Sequence, residues 1–98
     1  MKFNDKVYEL TKKIPEGRVS TYKEIAQKLG VKAYRAVGNA LNKNPHAPIV
    51  PCHRIVNSDG KLGGFASGCE NKIKMLAKEG VKVKDDMIVE FEKKLFRF

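Results

Sequence analysis

"STYKEIAQKLGVKAYRAVGNALNKN", Ser20 to Asn44, decides the fold. Thr21 followed three residues on by Glu24 fits a capping box, which marks a helix start. Ile25 and Leu29 then lie on one helix face, and Gly30 suits the C-terminal cap. After the short "GVKA", "YRAVGNALNKN" is a second helical pattern, with Val37 and Leu41 four residues apart. Two short helices around a brief glycine-containing turn predict a helix-turn-helix. Arg35 falls in the first turn of the second, recognition-like helix, the part that such proteins set against nucleic acid. Many helical bundles contain such a pair without binding anything, so the pattern speaks first to fold.

Charge adds a second observation. The net charge is +9, and no acidic residue occurs between Glu24 and Asp59. That gap carries Lys28, Lys32, Arg35, Lys43 and Arg54. A basic surface with few acids attracts polyanions, nucleic acid above all. The competing reading is a generically basic, solvated surface.

The chain of 98 residues predicts one domain, 1–98, with a modest core. No apolar run approaches the roughly 20 residues of a membrane span, and the charged "MKFNDKVYELTKK" lacks a signal core. Two cysteines are too few for a disulfide scaffold, so a reduced intracellular protein, cytoplasmic or nucleoid-associated, is expected. Phe3, Val7, Leu10 and Ile14 predict a first helix to about Lys13, stopped by Pro15 and Gly17. Pro45, Pro48 and Pro51 make "NPHAPIVPCHRI" an ordered loop or extended segment. "IVNSDGKLGGF" predicts a small hairpin turning at Asp59-Gly60. "CENKIKMLAKEG" predicts a fourth helix ending at Gly80, and "VKV" with "MIVEF" a second hairpin around Asp85-Asp86. The fold class is mostly α with small β-hairpins.

Cys52 in "VPCHRI" is the first candidate for chemistry. A free thiol is a few per cent thiolate at neutral pH, and a cationic setting or nearby base raises that fraction. His53 is adjacent, but neighbours in an extended chain point to opposite sides, so contact needs a turn or a bridging water. A small buried thiol is the alternative, and local chemistry leaves the two open. Cys52, His53, His46 and Cys69 fit no common zinc spacing, so neither metal nor other cofactor is expected. Cys69 stands at helical spacing from Ile73 and Leu76 and reads as core. Tyr22 and Tyr34 flank the helix pair, where aromatics either stack on bases or pack between helices. Asn44 before Pro45 suits the end of the third helix.

"RAVGNALNKNP", then "IVPCHRI", "GGFASG" and a helix ending "AKEG" resemble the C-terminal domain of the O6-alkylguanine-DNA alkyltransferases. The resemblance runs from Ile14 to Val81. It implies a winged helix-turn-helix that binds the DNA minor groove as a monomer and flips out the damaged nucleotide. It implies that Cys52 takes the alkyl group from O6 in a single turnover. His53, through a water, would link Cys52 to Glu79 and take its proton. Asn44 would brace the turn carrying the cysteine, and Tyr22 would help rotate the nucleotide. Arg35 would be the finger entering the stack, with Tyr22, Thr21, Ala36 and Lys43 also at the DNA. Val50, Pro51, Phe65, Ala66, Ser67 and Gly68 would line the alkylguanine pocket.

Two departures stand out. Phe65 replaces the tyrosine usual in the family, removing a hydroxyl that could donate to O6. The larger N-terminal domain common in the family is not in this chain. The length and the "EGVKV…FEKKLFRF" region are similar to the alkyltransferase-like proteins, which bind alkylated guanine and flag it for excision repair. Those proteins typically carry tryptophan at the cysteine position, whereas this chain keeps Cys52.

Overall fold

The computed structural model describes residues 2–47, 49–64 and 68–98. Helix α1 spans Phe3–Thr11 and strand β1 Ser20–Thr21, followed at once by α2, Tyr22–Leu29, and then α3, Tyr34–Asn42. The boundaries of α2 are those its sequence specifies. The Thr21 hydroxyl accepts from the Glu24 amide at 3.0 Å, and Gly30 takes the left-handed conformation, φ +73°, that closes the helix. α1, α2 and α3 pack around Val7, Leu10, Ile14, Ile25, Val37 and Leu41, with Val50 and Ile55 joining them.

A 3₁₀ turn, Cys52–Arg54, leads into β2, Ile55–Val56. β2 pairs in parallel with β1, Ser20 opposite Ile55 and Thr21 opposite Val56. Neighbouring side chains on a strand point to opposite faces. Ile55 therefore enters the first cluster, while Val56 enters a second one with Val19, Leu62, Leu76, Val81 and Ile88. The strand after Cys52 thus forms the seam between the two clusters.

The expected hairpin around Asp59-Gly60 is a closed turn without a ladder of its own. Gly60 donates to the Asn57 carbonyl and Asn57 to that of Lys61, both at 2.9 Å. The flanking residues pair elsewhere: β2 is taken by β1, and Lys61 bridges to Met87. The second hairpin forms as read, with β3, Val83–Lys84, antiparallel to β4, Met87–Ile88. Asp85 and Asp86 both have positive φ, as a type I′ turn requires.

α4, Cys69–Lys78, corrects the reading of Cys69 as core. Cys69 is exposed, and the buried positions are Lys72 and Leu76, with Glu79 one turn on at the C-cap. The inward face therefore shares Leu76 with the apolar spacing Cys69–Ile73–Leu76 but takes Lys72 in place of Ile73. A short helix, α5, Phe91–Lys94, follows and was not apparent in the sequence. The chain then returns to β1, where Val19 donates to the Lys94 carbonyl and Phe96 to that of Val19. Among the described residues no helix is long and apolar enough to cross a membrane.

Candidate active site and nucleic-acid interface

Cys52 is the first residue of the 3₁₀ turn and is half-buried with a free thiol. The turn supplies what an extended chain would not, since successive side chains no longer point to opposite sides. Asn44 holds the preceding loop: its Nδ2 donates to the Val50 carbonyl at 2.8 Å, and its Oδ1 accepts from the His46 amide at 2.9 Å. Its side chain therefore spans the loop ahead of Cys52 instead of capping α3.

His53 is 3 % exposed, and its Nε2 lies 3.1 Å from Glu79 Oε2. Its Nδ1 is buried without a hydrogen-bond partner among the described residues. With Nε2–H donated to the carboxylate, Nδ1 is the acceptor nitrogen of a neutral imidazole. Burial lowers the His53 pKa, and the bond to Glu79 offsets this only in part.

Arg54 makes this constellation larger than the sequence suggested. Its Nε donates to Glu79 Oε1 at 2.9 Å and its Nη2 to Oε2, a two-pronged pair. Its Nη1 donates to the Ile14 carbonyl at 2.8 Å, tying the site to the turn that follows α1. Burial pushes the Glu79 carboxyl up, but the bonds from Arg54 and His53 together hold it below its ordinary value. Glu79 is thus a fixed carboxylate that orients His53. A cleft of about 390 Å3 lies behind these residues, lined by Glu16, His53, Arg54, Met75, Lys78 and Glu79. Cys52 does not line it, so it is distinct from the expected alkylguanine pocket.

Of that expected pocket, Val50 and Pro51 are buried beside Cys52, and Gly68 is exposed with φ +99°. Phe65, Ala66 and Ser67 lie outside the described residues. Lys72 was missed by the sequence reading. It is fully buried, and its Nζ donates to the carbonyls of Leu62 at 2.7 Å and Gly64 at 3.1 Å. The apolar spacing Cys69–Ile73–Leu76 passes Lys72 by, so helical periodicity carries no signal for its burial.

On the helix pair, Arg35 is the second residue of α3 and is exposed, as are Lys28, Lys32 and Lys43. Ala36 is half-buried beside Arg35. Thr21 is buried and its hydroxyl is committed to the α2 cap, so its side chain orients the helix. Tyr22 is half-buried, with Cε1 3.9 Å from where a Cβ on Gly38 would stand. Burial first, and then Cys52 nearby, raise its phenol pKa. Tyr22 and Cys52 both pack against the first core cluster, whereas Tyr34 is exposed.

The DNA-binding-domain model of 6-O-methylguanine DNA methyltransferase matches residues 2–81. A methylated-DNA–protein-cysteine methyltransferase of Methanosarcina barkeri is 54% identical over 71 residues, 71% of this chain and 45% of that protein. The chain spans about half the length of the curated methyltransferases it matches. The crystal structure of Mycobacterium tuberculosis OGT in complex with DNA matches with a TM-score of 0.77 and 41% identity, over 81% of this chain and 50% of that one. The Schizosaccharomyces pombe protein Atl1, in complex with damaged DNA containing O6-carboxymethylguanine, matches with a TM-score of 0.86 and 30% identity, over 98% of this chain and 95% of that one. With a helix-turn-helix-like fold and the family model across most of its length, the chain belongs to the 6-O-methylguanine DNA methyltransferase DNA-binding-domain family.

Proposed function

We propose that this protein repairs DNA by moving the alkyl group of O6-alkylguanine onto its own Cys52, once per molecule. The observation that carries the reading is the half-buried Cys52 next to a buried His53 whose Nε2 is tied to Glu79 and whose Nδ1 is left as an acceptor. In the reaction Cys52 loses its proton, through a water, toward His53 Nδ1. The sulfur attacks the alkyl carbon, a C–S bond forms, and the C–O6 bond breaks with its electron pair going to the guanine. The guanine anion takes a proton at N1 from water, His53 returns the Cys52 proton to solvent, and the products are neutral guanine and a thioether on the protein. Ordinary thiol exchange does not reverse a thioether, so turnover stops after one event.

The DNA would be double-stranded, bound through the minor groove by a monomer, with the exposed basic residues of α2 and α3 against phosphates. Arg35 would fill the space left by the flipped nucleotide, and Tyr22 would support it. A prokaryotic cytoplasm or nucleoid, where thiols stay reduced, suits this chemistry.

A second reading is a damage-recognition protein that binds O6-alkylguanine without efficient transfer. The match to Atl1 over nearly the whole of both chains favours it, as the curated methyltransferases match over only about half their length. Incubation with duplex DNA containing O6-methylguanine separates the two. Transfer adds one methyl group to intact protein, mapped to Cys52 by peptide mass spectrometry. Unmodified protein under conditions where binding is verified overturns the transfer reading and leaves recognition.

A further inference from the structure

We propose that Tyr8 is a positioning residue: its hydroxyl and ring tie the end of α3, the helix that carries Arg35, to the segment that delivers Cys52. The inference rests on the transfer reading for its purpose, and one arm of its test needs no DNA.

The hydroxyl sets this residue apart. Tyr8 lies on the buried face of α1, where phenylalanine would bury the same ring. A buried tyrosine hydroxyl needs a partner. Here it donates to the Ala40 carbonyl at 2.7 Å, 32 residues away in the chain. Ala40 is 1% exposed, and its carbonyl belongs to the last turn of α3, where a helix supplies no donor of its own. The two amides that follow the helix pass it by. Lys43 donates to the Asn39 carbonyl at 3.1 Å and Asn44 to that of Leu41 at 3.2 Å. Tyr8 therefore caps the end of α3 from α1.

The same side chain meets the cysteine segment. Its ring and that of His46 stand edge to face, with centroids 6.4 Å apart. Tyr8, His46 and Val50 line one cleft of about 270 Å3 beside α1. His46 and Val50 are the two residues that the Asn44 side chain grips, and the Val50 amide returns to the His46 carbonyl at 3.0 Å. The Cys52 amide then donates to the Val50 carbonyl at 2.9 Å. One tyrosine thus touches the chain on both sides of Asn44, at Ala40 before it and at His46 after it. Arg35 and Ala40 share one nine-residue helix, so holding Ala40 also places Arg35. Flipping needs Arg35 in the stack while the nucleotide meets Cys52. The junction that Tyr8 holds sets the spacing between those two groups.

The test is Tyr8→Phe, which keeps the ring and removes the hydroxyl. Amide hydrogen exchange of the free protein reads the junction. The reference for global opening is the Val81 amide, which belongs to the second core cluster and is bonded to Leu76. The Val50 and Cys52 amides should exchange about fivefold faster than in the parent, over and above any rise at Val81. A purely structural tyrosine would raise all three alike, so equal rises, or none, overturn the inference. Single-turnover methyl transfer at saturating DNA reads the consequence. Duplex repair should slow about tenfold more than reaction with a free benzylated base, which needs no alignment with α3; equal losses overturn the inference. Should Tyr8→Phe not fold, His46→Ala removes the ring contact from an exposed position. Exchange at Val50 and Cys52 should then rise with Val81 unchanged, and no rise overturns the inference. A parent protein that binds the damaged duplex and leaves Cys52 unmethylated refutes the transfer reading, and the exchange comparison still decides whether Tyr8 holds the junction.

Discussion

Glu79→Gln is the perturbation that probes the site most directly. The carboxylate is held by two bonds from Arg54 and one from His53, and its side chain is only 11% exposed. Glutamine has nearly the same shape but no charge, and its amide nitrogen cannot accept from Arg54. Breaking a buried ion pair from one side costs roughly 3–5 kcal/mol. Arg54 keeps its bond to Ile14 and remains 15% exposed, which places the expected loss at the lower end. About 3 kcal/mol corresponds to a drop of roughly 12–24 °C in melting temperature for a domain of this size. Urea unfolding at pH 7 measures the loss directly. The pH dependence supplies the sign. Because the folded Glu79 pKa is lowered, its contribution is present above the ordinary value of 4.5 and is lost as pH falls through the folded value. The gap between wild type and Glu79→Gln should therefore close in acid. A loss below about 1 kcal/mol at pH 7, or a gap that stays constant into acid, would refute a structural carboxylate here.

Four further outcomes are expected. Cys52→Ala should abolish methyl transfer while duplex affinity changes by less than about threefold in a gel-shift titration, since phosphate contacts dominate binding. Arg35→Ala should slow repair of duplex DNA about tenfold more than reaction with a free benzylated base, because only the duplex requires unstacking; equal losses would remove the finger role. Gly60→Ala should destabilise by about 1–3 kcal/mol in chemical denaturation, because Gly60 has φ +88° and a Cβ there would meet the Phe91 ring at 3.1 Å. Burial lowers the His53 pKa from 6.5, so the unfolded chain takes that proton first. Wild-type stability should therefore fall as pH drops below about 6.5, and His53→Asn should flatten that part of the profile in urea titrations.

The parts of the fold that local chemistry specifies were legible. Thr21, Glu24 and Gly30 bound α2 through contacts within a few residues, and Asp85-Asp86 turns a hairpin whose strands are adjacent in sequence. The parts set by distant partners were not. Ser20 pairs with Ile55, a two-residue parallel contact with no periodic signature, and that pairing is one reason the Asp59-Gly60 turn lacks a hairpin. α5 is one turn long, below the length at which helical spacing can be counted. The site divides in the same way. The chemistry of "PCHR" raised Cys52 as a nucleophile without deciding it, while Glu79, 26 residues from His53, came from the family resemblance. The Arg54–Glu79 pair and buried Lys72 came only with tertiary structure, because a charged residue is ordinarily assigned to the surface.

The inward face of α4 explains why that assignment failed. Lys72, Leu76 and Glu79 lie on one stripe, and only Leu76 is apolar. Apolar residues at Lys72 and Glu79 would leave the Leu62 and Gly64 carbonyls and the Arg54 guanidinium without these partners, which is costly where they are buried. The charges make sense by what they reach. Lys72 holds the segment leading to Phe65, and Glu79 holds His53 and Arg54, the second and third residues of the turn that Cys52 begins. Arg54 then carries the same constraint to Ile14, in the first core cluster. One helix, set against the seam between the two clusters, therefore fixes the cysteine turn and the segment beside it through charged side chains. The cost is pH sensitivity, because each buried group must keep a particular protonation state for the site to hold its shape.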